Sequence, residues 1–350
     1  MPLLSVKNLA VRFETHHGTV RAVDGISFDM EEGETLGLVG ESGSGKSVTN
    51  LALLGLIPSP PGVMSGQVHF DGQEISALSE PELRKVRGNR ISMIFQDPMT
   101  SLNPLLTIGR QMTEVLELHK GKSHSEAMRL AAVGLGEVGL SEPESRLAQY
   151  PHELSGGMRQ RVMIAMGLLC EPRLLLADEP TTALDVTIQA QILELMAEVQ
   201  RRHGTAIILV THDLGVVAGT ADRVAVMYAG RIVEEGPTHQ LFKNPHHPYT
   251  QGLLSSVPRL DSDTSQKMSS IPGTPPDLAE MPPGCAFAPR CPNVQAECKS
   301  ERPELLPSGV PGRSNACPLY ASADSASADS ASADSASADS AKADSAEARP

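Results

Sequence analysis

Residues 40–47 read Gly-Glu-Ser-Gly-Ser-Gly-Lys-Ser, and they lie between an apolar run, 35–39, and a run with helical spacing, 48–57. A glycine-rich turn between a strand and a helix points successive backbone N–H groups at phosphate oxygens. The lysine adds positive charge toward the β- and γ-phosphates, and the last serine offers a hydroxyl to Mg²⁺. The stretch therefore predicts a P-loop that binds a nucleoside triphosphate. The residues assigned to the nucleotide here are Gly40, Ser42, Gly43, Gly45, Lys46 and Ser47.

Four further segments follow in order, and they decide which class of P-loop protein this is. They are 91–96, an apolar run that ends in Gln96; 154–160, Leu-Ser-Gly-Gly-Met-Arg-Gln; 174–179, an apolar run that ends in Asp178 and Glu179; and 206–212, an apolar run followed by His212. Their order and spacing resemble the ATP-binding cassette (ABC) family over roughly residues 1–240. The nucleotide predicted by this resemblance is ATP.

The two acids after the apolar run at 174–177 have separate expected roles. Asp178 is placed to hold Mg²⁺ through its water shell, because hard cations prefer carboxylate oxygen and Mg²⁺ dehydrates reluctantly. Glu179 is placed to polarise the attacking water. The resemblance implies that Glu179 is the catalytic base, that Gln96 senses metal and water, and that His212 contacts the γ-phosphate. The predicted Mg²⁺ set is Ser47, Gln96 and Asp178.

A second anion site is predicted at Ser155, Gly156 and Gly157, because exposed N–H groups at a helix start favour negative charge. In the ABC family this segment of one subunit closes over the P-loop nucleotide of another. With one cassette in the chain, the resemblance implies a dimer with a second copy or with a sister ATPase. Residues 183–185, Ala-Leu-Asp, resemble the D-loop that couples the two sites, which adds Asp185 to the nucleotide residues.

Phe13 lies on a segment that alternates apolar and polar residues, which is typical of a strand. The resemblance places an aromatic residue near the N-terminus against the adenine ring, and Phe13 is the candidate. Packing in the core is the alternative for a phenylalanine on such a strand.

Strands alternate with helices before about residue 90 and after about 160, which predicts a mostly parallel sheet. Between them, residues 105–119 and 125–140 show helical apolar spacing. The predicted fold class is α/β: a P-loop ABC nucleotide-binding domain over 1–240, with a RecA-like lobe and a helical subdomain at about 97–158. In the family this insert docks a coupling helix of the membrane partner.

Two segments look specifically like the ATPases of oligopeptide and dipeptide importers: 96–104, Gln-Asp-Pro-Met-Thr-Ser-Leu-Asn-Pro, and 150–161, which contains the Leu-Ser-Gly-Gly stretch. The resemblance implies an ATPase that powers peptide import across the cytoplasmic membrane and lies peripherally on its cytoplasmic face. The implied partners are two transmembrane permease subunits and an exported solute-binding protein. The same role for nickel or another small solute is the alternative.

Composition excludes other classes of function. A net charge of −13, 3% aromatic residues and no tryptophan argue against a nucleic-acid surface, which needs clustered cations and stacking rings. The longest apolar run, 162–170, is shorter than the roughly 18 residues that span a bilayer. The first residues show no signal-peptide pattern. We therefore expect no nucleic-acid partner and no membrane span.

Residues 241–320 form a predicted C-terminal extension, and four cysteines lie in it, separated by five, six and eighteen residues: Cys285, Cys291, Cys298 and Cys317. Clustered thiols without an export signal favour metal over disulfides. Four thiolates suit Zn²⁺ or an iron–sulfur cluster, and the spacing is not that of a zinc ribbon. Resemblance to the C-terminal segment of peptide-importer ATPases implies a [4Fe-4S] cluster; Zn²⁺ and unliganded thiols are the alternatives.

Two adjacent histidines in the same extension, at 246 and 247, invite a metal interpretation, but adjacent side chains rarely converge on one ion. The last segment, 321–350, repeats Ser-Ala-Ser-Ala-Asp with a period of five. It has no apolar residues larger than alanine with which to form a core, so it is predicted to be a disordered low-complexity tail.

Overall fold

The computed structural model describes residues 1–182, 184–256 and 270–321. The chain divides into two compact units, one of Met1–Arg231 with Asp277–Glu280 and one made from the rest. Predicted features at Ala183, in the D-loop, and at 322–350, in the low-complexity tail, lie outside the described residues. Within the described ranges, no helix has both the length and the apolar composition needed to cross a membrane.

The first unit contains an antiparallel sheet in the order β2-β1-β4-β5 and a parallel sheet in the order β9-β3-β8-β7-β6. Its strands are β1 (Leu4–Thr15), β2 (Gly18–Met30), β3 (Thr35–Val39), β4 (Gly62–Phe70), β5 (Gln73–Glu74), β6 (Ile91–Ile94), β7 (Leu174–Asp178), β8 (Ala206–Thr211) and β9 (Arg223–Tyr228). Its helices are α1 (Lys46–Leu53), α2 (Glu80–Val86), α3 (Pro98–Ser101), α4 (Ile108–Lys120), α5 (His124–Glu137), α6 (Pro143–Leu147), α7 (Gly156–Leu168), α8 (Val186–His203) and α9 (Leu214–Thr220).

The parallel sheet brings the predicted site together. Strands β3, β7 and β8 are buried along their whole length, as expected of parallel strands covered on both faces. In the register, Leu38 and Asp178 both pair with Val210, on opposite sides of β8. Because the strands are parallel, the residues that follow Val39, Asp178 and Thr211 all lie at one edge of the sheet.

The range predicted as a helical subdomain contains helices α3 to α6, of which α4 and α5 are the two long ones. Thr107 caps the start of α4, Gly121 ends it in a left-handed conformation, and Ser123 caps the start of α5. The predicted ranges, 105–119 and 125–140, differ from these bounds by a few residues because the capping residues set the helix ends. The apolar faces of these helices pack with α7 and the parallel sheet in one buried cluster.

The second unit contains a small antiparallel sheet in the order β11-β12-β10. Its elements are β10 (Arg231–Pro237), α10 (Thr238–Lys243), α11 (Pro248–Ser255), α12 (Glu297–Ser300), β11 (Leu306–Pro307), β12 (Ser314–Asn315) and α13 (Pro318–Ala321). Glu234 and Glu235 on β10 pair with Asn315 and Ser314 on β12. This unit therefore begins after Arg231, earlier than the predicted division at about 240, because β10 pairs with a strand of the cysteine-containing segment.

Candidate functional site

The P-loop follows β3 and depends on two glycines. Gly40 has a φ of 154°, and a Cβ atom there would lie 2.2 Å from the carbonyl oxygen of Met227. Gly45 has a φ of 104°, and a Cβ atom there would lie 2.3 Å from the carbonyl oxygen of Ala22. Any other residue at either position needs the backbone to move. Neighbouring backbone atoms therefore leave no room for side chains at these two positions of the loop, which ends at the start of α1.

The interior of the loop has polar groups suited to phosphate. The Lys46 side chain is buried, and its Nζ donates to the carbonyl oxygens of Gly40 and Glu41, each at 2.9 Å. Burial lowers the pKa of Lys46, against the attraction of nearby carboxylates. The Ser44 hydroxyl is buried and makes no hydrogen bond within the described residues. A phosphate would give both groups a charged acceptor, so the loop fits the predicted nucleotide.

The predicted Mg²⁺ ligands are partly assembled. Ser47 Oγ donates to Asp178 Oδ1 at 2.9 Å, which places a hydroxyl and a carboxylate side by side at the start of α1. Burial raises the pKa of Asp178, and the bond from Ser47 acts in the opposite direction. This oxygen pair fits a hard divalent cation. The Gln96 side chain does not contact Ser47 or Asp178; its amide donates a hydrogen bond to Glu179 instead.

Glu179 follows β7 with a φ of 47°, in the left-handed region that non-glycine residues rarely adopt. Three side chains contact its carboxylate. Gln96 Nε2 and Thr182 Oγ1 both donate to Oε2 at 2.9 Å, and His212 Nδ1 lies 3.2 Å from Oε1. The three residues named as catalytic from the sequence therefore meet at one carboxylate. Thr182 was not predicted, because a threonine four residues after a strand indicates only a turn.

The Leu-Ser-Gly-Gly stretch forms the exposed start of α7. Ser155 is the N-cap, and its hydroxyl accepts from the N–H of Met158 at 3.3 Å, while Gly156 and Gly157 begin the helix. A buried side chain of the same helix, Gln160, donates to the carbonyl oxygen of Pro180 at 2.6 Å. Helix α7 is therefore hydrogen-bonded directly to the turn that carries Glu179. Apolar periodicity in the sequence does not indicate this contact.

Two other predicted nucleotide residues have local structural roles. The Asp185 side chain caps α8 by accepting from the N–H of Ile188 at 3.0 Å. Phe13 lies half-buried on β1, opposite Val20 and Gly62. Its contact with adenine stays a prediction.

The four clustered cysteines line one pocket in the second unit, together with His247. All five cysteines of the chain are free thiols. Burial raises the pKa of the Cys285 and Cys291 thiols, and raises that of Cys317 to about 11. For these three thiols, the backbone N–H two residues further along the chain donates to the sulfur. Within the described residues, no three or more His, Cys, Asp or Glu side chains converge closely enough to hold one metal ion.

A buried carboxylate in this unit, Glu234, accepts hydrogen bonds from several polar groups. It accepts from the backbone N–H groups of His246 and His247 at 2.8 and 2.9 Å, and from Arg313 Nη2 at 3.0 Å. His247 Nδ1 accepts from the N–H of Tyr249 at 3.1 Å, and burial lowers the pKa of this ring to about 3. The adjacent histidines thus serve packing and hydrogen bonding, and within the described residues neither belongs to a group of three or more side chains that could hold a metal ion.

Two known families match the chain in different regions. The family described as ABC transporter matches residues 23–182, and the family described as oligopeptide/dipeptide transporter, C-terminal region, matches residues 233–298. The first match spans the P-loop, Asp178 and Glu179, and the second includes Cys285, Cys291 and Cys298.

Curated proteins and solved structures agree with these matches. The oligopeptide transport ATP-binding protein OppD of Bacillus subtilis is 58% identical over 82% of this chain and 80% of its own. The dipeptide transport ATP-binding protein DppD of the same organism is 56% identical over 85% and 88%, respectively. A solved ATP-binding cassette, a dimer in a post-hydrolysis state bound to ADP and Pi, is 29% identical with a TM-score of 0.61, covering 67% of this chain and 98% of its own. The predicted fold class and family are confirmed: the chain belongs to the ABC transporter family, among the ATP-binding proteins that carry the oligopeptide/dipeptide transporter C-terminal region.

Proposed function

We propose that the chain is the ATP-hydrolysing subunit of an importer that takes up di- and oligopeptides. The observation that carries this proposal is the combination of two parts in one chain. A cassette with a P-loop and a strand-end glutamate binds and hydrolyses ATP, and it is joined to a C-terminal region of the oligopeptide/dipeptide transporter type. The relatives described above are named for oligopeptides and dipeptides, which favours peptides over nickel as the cargo.

Hydrolysis follows from the residues at the edge of the parallel sheet. Lys46, Ser44 and the P-loop N–H groups hold the phosphates, and Ser47 with Asp178 hold Mg²⁺, which neutralises phosphate charge when bound. Glu179 accepts the proton of the attacking water. Gln96 and His212 contact Glu179 in this structure, and with nucleotide bound they would contact the metal and the γ-phosphate, respectively. Catalysis here is positioning and charge stabilisation, as in other phosphoryl transfers.

The second anion site requires another cassette. Ser155 and Gly156 are exposed and Gly157 is half-buried at the start of α7, where the N–H groups and the helix dipole favour a phosphate of a partner chain. The solved cassette with a TM-score of 0.61 is itself a dimer with bound ADP and Pi, which supports a dimer here. The partner is a second copy or a sister ATPase.

Large apolar side chains are exposed in the segment that joins β6 to α4, at the start of the helical subdomain. They are Phe95, Met99 and Leu105, and Leu105 is exposed at 83% of its full area. Apolar residues that form a contiguous exposed patch mark protein interfaces. We assign these residues to contact with a coupling helix of a permease subunit, one of two, and we propose that the chain lies peripherally on the cytoplasmic face of the membrane. A solute-binding protein then joins only through the permeases.

The experiment measures uptake of labelled di- and oligopeptides, with radioactive nickel in parallel, in cells whose only copy of the chain carries Glu179→Gln. Loss of peptide uptake with normal nickel uptake is the expected result, and it gives the peptide size class. Loss of nickel uptake alone assigns the chain to the alternative cargo. Normal uptake of both contradicts the transport role.

We also propose that Cys285, Cys291, Cys298 and Cys317 hold a [4Fe-4S] cluster. Support comes from their shared pocket and from the N–H groups that donate to three of the sulfurs. Burial raises the pKa of these three thiols, and the N–H donors oppose that rise and would stabilise metal-bound thiolates. A close backbone approach reinforces the arrangement: Cys285 N–H donates to Cys298 O at 2.8 Å. When bound, a cluster orders this segment or senses redox state.

Iron and acid-labile sulfide, measured on anaerobically purified full-length chain, test the cluster. We expect about four of each per chain, lost in Cys291→Ser and retained in the control Cys170→Ser, whose thiol is buried in the other unit. Stoichiometric zinc, or thiols without metal, contradicts the cluster.

A further inference from the structure

Thr182 contacts Glu179 twice within a single turn. Its backbone N–H donates to the carbonyl oxygen of Glu179 at 3.2 Å, and its Oγ1 donates to Glu179 Oε2 at 2.9 Å. A bond from a hydroxyl to a carboxylate is charge-assisted and stronger than a neutral one. The Glu179 side chain is only 14% exposed, whereas Thr182 is exposed, so the acceptor end of this bond is shielded from water and the donor end is not. The turn therefore holds one of the two carboxylate oxygens with a side chain of its own.

The other two side chains on this carboxylate come from different elements. Gln96 follows β6 and His212 follows β8, and neither has a backbone hydrogen bond to the turn at Glu179. Both are expected to leave Glu179 when nucleotide binds. Thr182 is covalently part of the turn, so its hydroxyl moves with the glutamate. Of these three contacts, the one from Thr182 is therefore the one that we expect to remain after nucleotide binding.

The turn is also anchored from α7. Gln160 is 2% exposed, and its Nε2 donates to Pro180 O at 2.6 Å, between Glu179 and Thr182 in the chain. A buried amide that lost this acceptor would be left unsatisfied, which makes the contact costly to break. The left-handed backbone at Glu179 is thus held on both sides, by Gln160 and by Thr182. Backbone strain of this kind persists where the surroundings determine it and is concentrated at functional sites.

We propose that Thr182 is a positioning residue for ATP hydrolysis: its hydroxyl holds Glu179 Oε2, so that Oε1 faces the attacking water. The proposal rests on the role of Glu179 as the base. Oε1 then accepts the proton from water as the water oxygen bonds to the γ-phosphorus of ATP and the bond from that phosphorus to the ADP oxygen breaks. Oε2 stays bonded to the threonine, and the products are ADP and phosphate. No atom of Thr182 reacts, and its effect lies in the orientation of the carboxylate.

Two substitutions separate orientation from folding. Thr182→Val keeps the shape of the side chain and removes the hydroxyl, whereas Thr182→Ser keeps the hydroxyl and removes a methyl group. In the full-length chain we expect Thr182→Val to lower kcat about tenfold, with the KM and the Kd for ATP unchanged, because one orienting bond is lost after binding. Thr182→Ser should recover most of the wild-type kcat.

A parallel Glu179→Gln variant distinguishes failure of this inference from failure of the base assignment. If Glu179→Gln is inactive and Thr182→Val has the wild-type kcat, or a higher one, the positioning role is wrong and the base assignment stands. If Thr182→Val and Thr182→Ser lose activity equally, packing rather than the hydroxyl matters, and the proposal is also wrong. If Glu179→Gln hydrolyses ATP at the wild-type rate, the base assignment fails, and the proposal fails with it.

Discussion

The P-loop glycines differ in how much space their surroundings leave for a side chain. Gly45 and Gly43 both have positive φ values, 104° and 78°, but only at Gly45 would a Cβ atom meet backbone, whereas at Gly43 nothing lies within 4 Å. Substitution by alanine therefore destabilises the loop by different amounts at these two positions. At Gly43 it adds only left-handed strain, and at Gly45 it adds strain and a displacement of the loop.

We predict that Gly45→Ala lowers the free energy of unfolding by about 2 kcal/mol more than Gly43→Ala does, because overpacking adds to the left-handed strain. Denaturant unfolding of both variants without nucleotide measures the difference. Equal losses would show that the loop path at Gly45 is wider than the structure has it.

The pKa of His247 gives a second residue-scale prediction. The folded value is about 3 and the ordinary value is 6.5, so between these pH values the unfolded chain binds more protons. Stability of the second unit should therefore fall as the pH decreases from about 6.5 toward 3, by at most about 1.4 kcal/mol per pH unit from this residue.

Amide exchange of segment 244–256, followed by mass spectrometry, reads this local stability. His247→Gln cannot be protonated and should show a shallower pH dependence than the wild type by that amount. Identical slopes in the two proteins would contradict burial of a neutral ring.

Two helices offer a matched comparison at the scale of elements. Ser155 caps α7 and Ser123 caps α5 in the same way, each accepting from the N–H three residues on. Ser155 also lies in the stretch assigned to the nucleotide of a partner chain, and Ser123 does not. A serine cap and a phosphate contact can thus be separated by substitution.

We predict that Ser155→Ala and Ser123→Ala each lower the free energy of unfolding by about 1 kcal/mol. Only Ser155→Ala should also lower the ATPase rate, with ATP binding to its own P-loop retained. The measurements are thermal unfolding, nucleotide binding and ATP turnover. An ATPase loss of similar size in Ser123→Ala would mean that capping alone explains the effect.

At the level of elements, site residues were predictable where they end or follow an apolar run. Asp178, Glu179 and His212 end or follow buried parallel strands, so their order along the chain was enough to group them at one edge. Thr182 and the Gln160–Pro180 contact were not predictable, because they depend on the left-handed turn at Glu179. Helix ends shifted by a few residues where caps such as Thr107 outweighed apolar periodicity.

At the scale of the whole molecule, a buried ion pair joins distant segments of the second unit. Glu234 and Arg313 are 0% and 4% exposed and lie 79 positions apart in the chain. No spacing rule connects residues at that separation, so the sequence did not reveal the pair. Arg313 also donates to the carbonyl oxygen of Asn244, which joins the cysteine-containing segment to the loop after α10.

We predict that Arg313→Met lowers the local stability of the second unit by about 3 kcal/mol, because it leaves a buried carboxylate unpaired. The double variant Glu234→Gln/Arg313→Met should recover part of this loss. As a control, Arg110→Met removes the exposed pair with Glu117 and should lower stability by less than about 1 kcal/mol. Amide exchange measures all three; equal effects of Arg313→Met and Arg110→Met would contradict the importance of burial.

The central claim is that ATP is hydrolysed at the P-loop with Glu179 as the base. Its most direct test is single-turnover hydrolysis of γ-labelled ATP by the full-length chain and by Glu179→Gln, with the Kd for ATP measured on both. We predict unchanged binding and a hydrolysis rate at least about 100-fold lower in Glu179→Gln, as expected for loss of a general base. Hydrolysis at the wild-type rate by a variant that binds ATP normally would contradict the claim.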